Sequence, residues 1–164
     1  IFGGQNGFTM FNPNDFKNND IRVSRLFFSD FKLANQSVSP NGKNAPIDQQ
    51  IDNVERIVLN YNQNAFSFNF SAIDYGISSQ NKYRWRLNNM EKSWSPATTN
   101  QTAVYTNINS GNYTFEVQTS VDGRNWSESR TIIVKIKPPF YKTAVAYVCY
   151  IILLIVLRIF NILI

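Results

Sequence analysis

The sequence contains no histidine and a single cysteine, Cys149. Without histidine, the chain has no Ser-His-Asp triad, no histidine metal site and no phospho-accepting histidine. One cysteine cannot form an internal disulfide, so the fold must be held together by burial of side chains. We expect neither a metal nor another cofactor, and we assign no catalytic residue. The residues indicate no ligand-binding position.

Charged residues are also scarce, at 16% of the 164 residues, and they sum to a net charge of +5. A basic protein can bind nucleic acid, but the lysines and arginines here are scattered, without a basic run or a basic helix. We therefore expect no nucleic-acid partner. Asp74 and Glu91 are carboxylates from which a glycosidase pair can be imagined, but nothing in their spacing favours that reaction. The chain is not expected to be an enzyme.

Aromatic residues, in contrast, are abundant, with 13 Phe, 8 Tyr and 3 Trp. Many of them occur where apolar and polar residues alternate, and this period places one face of a strand on a core. The alternating runs are residues 57–61, 66–70, 83–87, 113–117 and 132–136, with a less regular first strand at 22–28. The side chains that we predict to be buried are Phe68, Trp85, Tyr113 and Phe115.

Turn-forming residues separate these runs, most clearly at 41–42, 110–112 and 122–123. About seven short strands over roughly 100 residues are typical of an immunoglobulin-like or fibronectin-III-like antiparallel β-sandwich. The cysteine pair of immunoglobulin domains is missing, which favours the fibronectin-like variety. We place this sandwich at residues 19–138.

The first 18 residues are too short to fold alone. Asn6-Gly7 lies between apolar positions and predicts a tight hairpin. The hairpin is either an ordinary one or the last strands of a β-propeller blade that is cut from its propeller. Neither end of the chain has the features of a native terminus, so we expect the chain to be a fragment of a larger protein or the product of a truncated gene.

Residues 139–164 are predicted to form a stiff joint and a single transmembrane helix. Pro138-Pro139 ends the last strand, because proline cannot donate to a β ladder, and two prolines make a stiff connection. Residues 144–157 carry no charge, and a span of about 20 mostly apolar residues crosses a bilayer. Tyr141 and Arg158 suit the two membrane interfaces. The alternative is an amphipathic helix buried against the sandwich.

Flanking charge indicates orientation only weakly. Lys135, Lys137 and Lys142 precede the helix, while Arg158 lies toward its far end. By the positive-inside rule this mildly favours a cytoplasmic sandwich, but the flank after the helix is missing from the comparison.

The order of these parts resembles the three-tyrosine (Y_Y_Y) domain region of Bacteroidetes-type hybrid two-component sensor histidine kinases. The matching motifs are Gly3-Gly4-Gln5-Asn6-Gly7-Phe8, Phe11-Asn12-Pro13, Leu59-Asn60-Tyr61, Phe66-Ser67-Phe68, Tyr83-Arg84-Trp85-Arg86-Leu87, Trp94, Tyr105, Gly111-Asn112-Tyr113-Thr114-Phe115, Asp122-Gly123, Trp126 and Pro138-Pro139-Phe140. The resemblance covers nearly the whole chain, and it implies that Tyr83, Tyr105 and Tyr113 are the three tyrosines.

The resemblance implies a periplasmic, membrane-proximal module on the cytoplasmic (inner) membrane of a bacterium. The parent protein would carry propellers upstream that sense oligosaccharides from complex glycans, and a histidine kinase downstream. This chain would then relay motion to the membrane helix, as a homodimer whose lipid-contacting part is residues 143–164. The dimer seam of the helix is expected on the face of Cys149, with Val145 and Ile152.

A membrane-tethered carbohydrate-binding module is the alternative function. Exposed aromatic side chains stack on sugars, so Trp85, Trp94 and Trp126 are the residues to weigh. We expect each of them to be a core or corner aromatic instead, because Trp85 is in phase with Tyr83 and Leu87.

Overall fold

The structure, a computed structural model, describes residues 2–4, 7–9, 25–40, 42, 45–73, 81–142 and 144–163. Its strands are β1 (Phe2–Gly4), β2 (Gly7–Thr9), β3 (Arg25–Leu33), β4 (Gln36–Ser37), β5 (Arg56–Leu59), β6 (Phe66–Ile73), β7 (Lys82–Asn88), β8 (Thr102–Tyr105), β9 (Gly111–Ser120) and β10 (Arg130–Ile136). One helix, α1 (Ala144–Leu163), and two short 3-10 turns, Ile51–Asn53 and Phe140–Lys142, complete the described elements.

Strands β1 and β2 pair antiparallel, with Gly4 opposite Gly7. The predicted hairpin is therefore confirmed, although Gln5 and Asn6 lie outside the described residues. Whether the hairpin belongs to a propeller blade stays a prediction.

The sandwich consists of two four-stranded sheets, ordered β5-β10-β9-β7 and β4-β3-β6-β8. Most pairs are antiparallel, as predicted, but β5 and β10 run parallel, with Ile57 opposite Val134. The prediction of a wholly antiparallel sandwich is wrong for this pair. No hairpin joins β5 to β10, because the chain leaves β5 for β6 in the other sheet, so the direction of pairing is not constrained by a tight turn.

Aromatic rings from both sheets fill the core. Phe68 of β6 stacks on Phe115 of β9 with ring centroids 4.5 Å apart, and both side chains are fully buried. Burial of one such side chain stabilises the fold by about 1.5–3 kcal/mol. Trp85 and Tyr113, also predicted to be buried, are half-buried and pack against the edge of this core.

Two strands differ from their predicted extents. The first sandwich strand, predicted at 22–28, is described from Arg25 to Leu33, with residues 22–24 outside the described residues. It has a register shift, a β-bulge, between Phe28 and Asp30. The strand predicted at 57–61 ends at Leu59, so placing Tyr61 in it is wrong. A turn ends β5, because the Gln63 N–H donates to the Asn60 carbonyl oxygen at 2.9 Å.

The turn at 122–123 is confirmed and is organised by Asp122. Gly123 has a φ of 75°, in the left-handed region that glycine adopts without strain. The Asp122 carboxylate accepts hydrogen bonds from the backbone N–H groups of Arg124 and Asn125 and from the Ser120 hydroxyl. These donors hold the pKa of Asp122 well below its ordinary value.

Helix α1 confirms the helical prediction for residues 144–157 and continues to Leu163. Its described side chains, up to Ile159, are exposed except for the partly covered Ala146. The alternative of an amphipathic helix buried against the sandwich is therefore wrong. Among the helices that the described residues form, none meets the length and apolarity required of a membrane span.

Candidate functional site: the ties between the sheets and the exit to the helix

Strand β10 connects the sandwich to helix α1. It lies between β5 and β9, so its last residue, Ile136, is opposite both Leu59 and Gly111. The Lys137 N–H then donates to the Leu59 carbonyl oxygen at 2.9 Å. Pro139 is buried and is followed directly by the 3-10 turn Phe140–Lys142. A hydrogen-bonded strand at the centre of this sheet thus leads directly to the residues before the helix.

Glu91 ties the two sheets together near the end of β7. One of its carboxylate oxygens, Oε2, accepts the Leu87 N–H at 2.6 Å and the Tyr105 hydroxyl at 3.1 Å. Leu87 belongs to the β7 sheet and Tyr105 to the β8 sheet, so one carboxylate bonds to both layers. Burial, followed by the charge and hydrogen bond of Glu91, raises the pKa of Tyr105 far above its ordinary value.

Asp52 forms a second tie, on the other side of the sandwich. Its Oδ1 accepts the Phe28 N–H of β3 at 2.9 Å and an Arg130 Nη2 hydrogen of β10 at 2.8 Å. Arg130 Nη2 also donates to the Asp52 carbonyl oxygen at 2.8 Å. The 3-10 turn Ile51–Asn53 places Asp52 between the two sheets. The β-bulge beside Phe28 lies at this tie.

Each of the three tyrosines that the resemblance singles out uses its hydroxyl in the structure. Tyr83 Oη accepts the Ala72 N–H of β6 at 3.1 Å, which gives a third bond between the sheets. Tyr105 donates to Glu91, as described above. Tyr113 donates to the Asn109 carbonyl oxygen at 3.0 Å and so fixes the loop before β9. Two of the tyrosines thus take part in bonds between the sheets, and the third holds a loop.

Two arginines and two tryptophans form a ladder on the outer face of the β7–β9 pair. The Arg84 guanidinium lies over the Trp126 ring at 4.2 Å and over the Trp94 ring at 4.9 Å, measured to the ring centroids. Arg86 lies over Trp94 at 4.4 Å and forms a 2.7 Å ion pair with Glu116. Burial, then the nearby Arg86 charge, lowers the pKa of Arg84.

The three tryptophans occupy two different environments. Trp85 packs against the core, 5.4 Å from the Phe70 ring, as expected. Trp94 and Trp126, in contrast, are half-buried on the outer face, because each follows a strand in a connecting loop that returns across it. Guanidinium groups already lie over both rings, and this occupies aromatic surface on which a sugar would stack.

The two carboxylates considered from the sequence as a glycosidase pair are Asp74 and Glu91. Asp74 lies outside the described residues, and the Glu91 carboxylate is engaged by Leu87 and Tyr105. Within the described ranges, no group of three or more carboxylate or thiolate residues is placed to hold a metal ion. The Asp52 tie escaped sequence reasoning, because its partner Arg130 is 78 residues away along the chain.

Comparisons with known proteins agree with this architecture. Residues 74–137 match the Y_Y_Y domain family. The chain is 31% identical over 150 residues to "Histidine kinase P4" of Formosa agariphila, an alignment that covers 91% of this chain and 11% of that protein. The chain thus spans about a ninth of this curated relative.

Solved structures give the same result. The extracellular domain of BT4673 from B. thetaiotaomicron, described as a one-component system in one structure and as a hybrid two-component system in another, is 26% identical with a TM-score of 0.63. That match covers 71% of this chain and 16% of the other. The extracellular domain of the hybrid two-component system BT3049, from the same organism, is 25% identical with a TM-score of 0.59, over 78% of this chain and 17% of the other. The chain therefore carries a Y_Y_Y domain and is similar to parts of a histidine kinase and of the extracellular domains of hybrid two-component systems from Bacteroidetes.

Proposed function

We propose that this chain is the membrane-proximal relay and dimerisation module of a periplasmic two-component receptor that senses glycans. The observation that carries the proposal is the path from a sandwich with tied sheets, through β10 and Pro139, to an exposed apolar helix. Catalysis is assigned to the downstream kinase of the parent protein, and the ligand site to its upstream propellers.

The ties support a relay because they make the two sheets move as one body. Tyr83, Glu91 and Asp52 each bond one sheet to the other, or to a turn between them. A rigid body passes on a displacement that a flexible one would absorb, and domain rotation of this kind is a known way to switch a receptor. Glycan sensing itself is inferred from the resemblance to the family.

The helix supports attachment to the inner membrane. Apolar side chains on all faces of α1 are exposed, for example Val145 at 72% and Leu154 at 63%. Such a surface is unfavourable in water and is expected to be covered by lipid or by a second helix. We assign the sandwich to the periplasm, with α1 leading toward the cytoplasm.

Cross-linking in membranes tests the relay and the dimer together. Val145 and Ile152 share the helix face of Cys149, so a seam on this face brings two copies of Cys149 together in a parallel homodimer. Mild oxidation is then expected to give a disulfide-linked dimer. Single cysteines placed in turn over residues 144–157, with Cys149 replaced by serine, should cross-link with a helical period.

The absence of any cross-linking, or cross-linking without a period, would contradict the paired-helix relay. Alkaline carbonate extraction supplies the independent check on attachment, since release of the intact chain into the soluble fraction would contradict it. Calorimetric titration of the full chain in detergent micelles with defined oligosaccharides separates the alternative function. We expect no saturable binding, because the guanidinium groups of Arg84 and Arg86 already cover the outer tryptophans.

A further inference from the structure

The strand register identifies the end of the sandwich that lies next to the helix. Lys135 of β10 is opposite Asn112 of β9 and Val58 of β5. The Asn89 side-chain amide, just after β7, donates to the Asn112 carbonyl oxygen at 2.9 Å. The residues that follow β5 and β7 therefore lie at the same end as Lys137. We call the exposed residues there the helix-side end, and its members are Tyr61, Met90, Lys92, Lys135 and Lys137.

The helix-side end combines positive charge with exposed apolar side chains. Its three lysines are exposed, and Tyr61 and Met90 expose 47% and 53% of their surface. The acidic residue beside Lys92, Glu91, directs its carboxylate to Leu87 and Tyr105. The opposite end carries both signs, with Asp122 and Glu128 beside Arg124. The charge is thus segregated toward the helix.

The connection to the helix limits how far this end can move from the membrane. Six residues separate Lys137 from Ala144, the first residue of α1, which makes seven steps from one Cα atom to the next. A fully extended chain of that length spans at most about 24 Å, and the 3-10 turn Phe140–Lys142 shortens it. Electrostatic attraction to a charged surface acts over about 8 Å at physiological salt. If α1 is inserted, the connection therefore allows the helix-side end to approach the headgroups to within this range and keeps it from moving farther away than the length of the connection.

We propose that the helix-side end is a docking surface for anionic lipid headgroups. This inference rests on the proposed membrane attachment of α1. Lys92, Lys135 and Lys137 pair with headgroup charges, while Tyr61 and Met90 sit at the interface where amphipathic and apolar groups are favoured. Removal of each lysine is expected to lower the equilibrium constant for contact between the helix-side end and an anionic membrane about fivefold. Docking holds the tied sandwich in a fixed orientation to the membrane.

Fluorescence of the reconstituted full chain tests the proposal. An environment-sensitive dye is attached to Met90→Cys in a Cys149→Ser background, in vesicles of phosphatidylcholine alone and in vesicles that also contain phosphatidylglycerol. We expect a blue shift in the anionic vesicles that is reversed by high salt. The triple variant Lys92→Gln, Lys135→Gln and Lys137→Gln should lose it. The matched control, Arg25→Gln, Lys82→Gln and Arg124→Gln, removes three charges from the other end and should keep it.

Vesicle flotation of the same samples separates the two proposals. If every variant floats with both lipids but the dye does not respond, or responds equally in both triple variants, the docking surface is wrong and attachment through α1 stands. If flotation itself requires phosphatidylglycerol and the three lysines, the lysines bind the headgroups, but insertion of α1 is wrong and docking beside an inserted helix is wrong with it. If the chain floats with neither lipid, both are wrong.

Discussion

Tyr105 on β8 and Glu91 after β7 form a 3.1 Å hydrogen bond that crosses from one sheet of the sandwich to the other. The same Glu91 oxygen accepts the Leu87 N–H at 2.6 Å, so both sheets share one acceptor. Tyr105 also meets Phe115 edge to face, with ring centroids 6.0 Å apart. The tyrosine thus contributes a ring to the core and a hydroxyl to the tie.

Removing the Tyr105 hydroxyl is expected to weaken the sandwich. Tyr105→Phe keeps the ring but leaves Glu91 with one donor fewer, and the free energy of unfolding should fall by about 1–2 kcal/mol. Urea unfolding of the full chain in mild detergent measures this. Tyr61→Phe, at an exposed position, is the matched control and should change stability by less than about 0.5 kcal/mol. Equal losses in the two variants would contradict a structural role for the tie.

The hydrogen bond between Tyr105 and Glu91 also predicts that the free energy of unfolding falls at alkaline pH. The pKa of Tyr105 is raised in the folded protein, so its contribution to stability is fully present below the unfolded pKa of about 10 and is lost as the pH rises above it. The free energy of unfolding of the unaltered chain should therefore fall more steeply above pH 10 than that of Tyr105→Phe. Other tyrosines titrate in both proteins, so only the difference is informative. Parallel curves would show that Tyr105 is not the responsible group.

The stability that Asp52 contributes is expected to have two separate sources. One is its ion pair with Arg130, and the other is its hydrogen bond from the Phe28 N–H. Asp52→Asn retains an oxygen for the Phe28 N–H but loses the ion pair with the partly exposed Arg130, at a cost of about 0.5–1 kcal/mol. Asp52→Ala also leaves the Phe28 N–H without its acceptor and should cost a further 1–3 kcal/mol or so. Chemical denaturation at low and high salt checks this, since salt should reduce the ion-pair loss that both variants share but not the further loss in Asp52→Ala. Asp48→Asn, on an exposed loop, is the control.

The arginine–tryptophan ladder should be sensitive to the shape of the cation as well as to its charge. Arg84→Lys keeps the charge but replaces a flat guanidinium that lies over Trp94 and Trp126 by a compact ammonium. We expect a loss of about 0.5–1 kcal/mol in the free energy of unfolding, together with a change in tryptophan emission. Arg124→Lys, in an exposed turn, should alter neither. An unchanged emission spectrum in Arg84→Lys would argue against the stacked geometry.

The alternation of apolar and polar residues predicted the core because it reports one local property, the face to which a side chain points. Phe68 and Phe115 are buried for this reason, and the pattern required no knowledge of which strands pair. The parallel pairing of β5 with β10 was not predictable in this way. It depends on where the chain crosses between the sheets, and periodicity carries no information about crossings.

The remaining errors have the same origin. Trp94 and Trp126 lie in loops, where a period of two assigns no face, so their contacts with Arg84 and Arg86 were missed. The ties are tertiary contacts between residues far apart in sequence, as Asp52 and Arg130 are. A polar residue that bonds two sheets looks the same in a sequence as one that is solvated.

The joint before the helix is expected to set how rigidly α1 follows the sandwich. Proline restricts the backbone at two successive positions, 138 and 139, whereas glycine allows many more conformations. The double variant Pro138→Gly, Pro139→Gly should therefore loosen the helix relative to the sheets without unfolding either. Spin labels are attached to Glu128→Cys and to the native Cys149. Pulsed electron paramagnetic resonance then measures the distance between the two labels. We expect a narrow distance distribution for the unaltered joint and a clearly broader one for the double variant.

The control for this experiment is Pro96→Gly, which makes the same substitution in an exposed loop after β7 and should leave the distribution unchanged. Circular dichroism of both variants verifies that the sandwich and the helix are intact. If the double variant keeps the narrow distribution, the prolines are not the source of stiffness. The hydrogen bond from the Lys137 N–H to the Leu59 carbonyl oxygen would then be the remaining restraint at the exit from β10. A broad distribution in the unaltered chain would contradict a mechanical relay through this joint, because a displacement of the sheets would not reach α1.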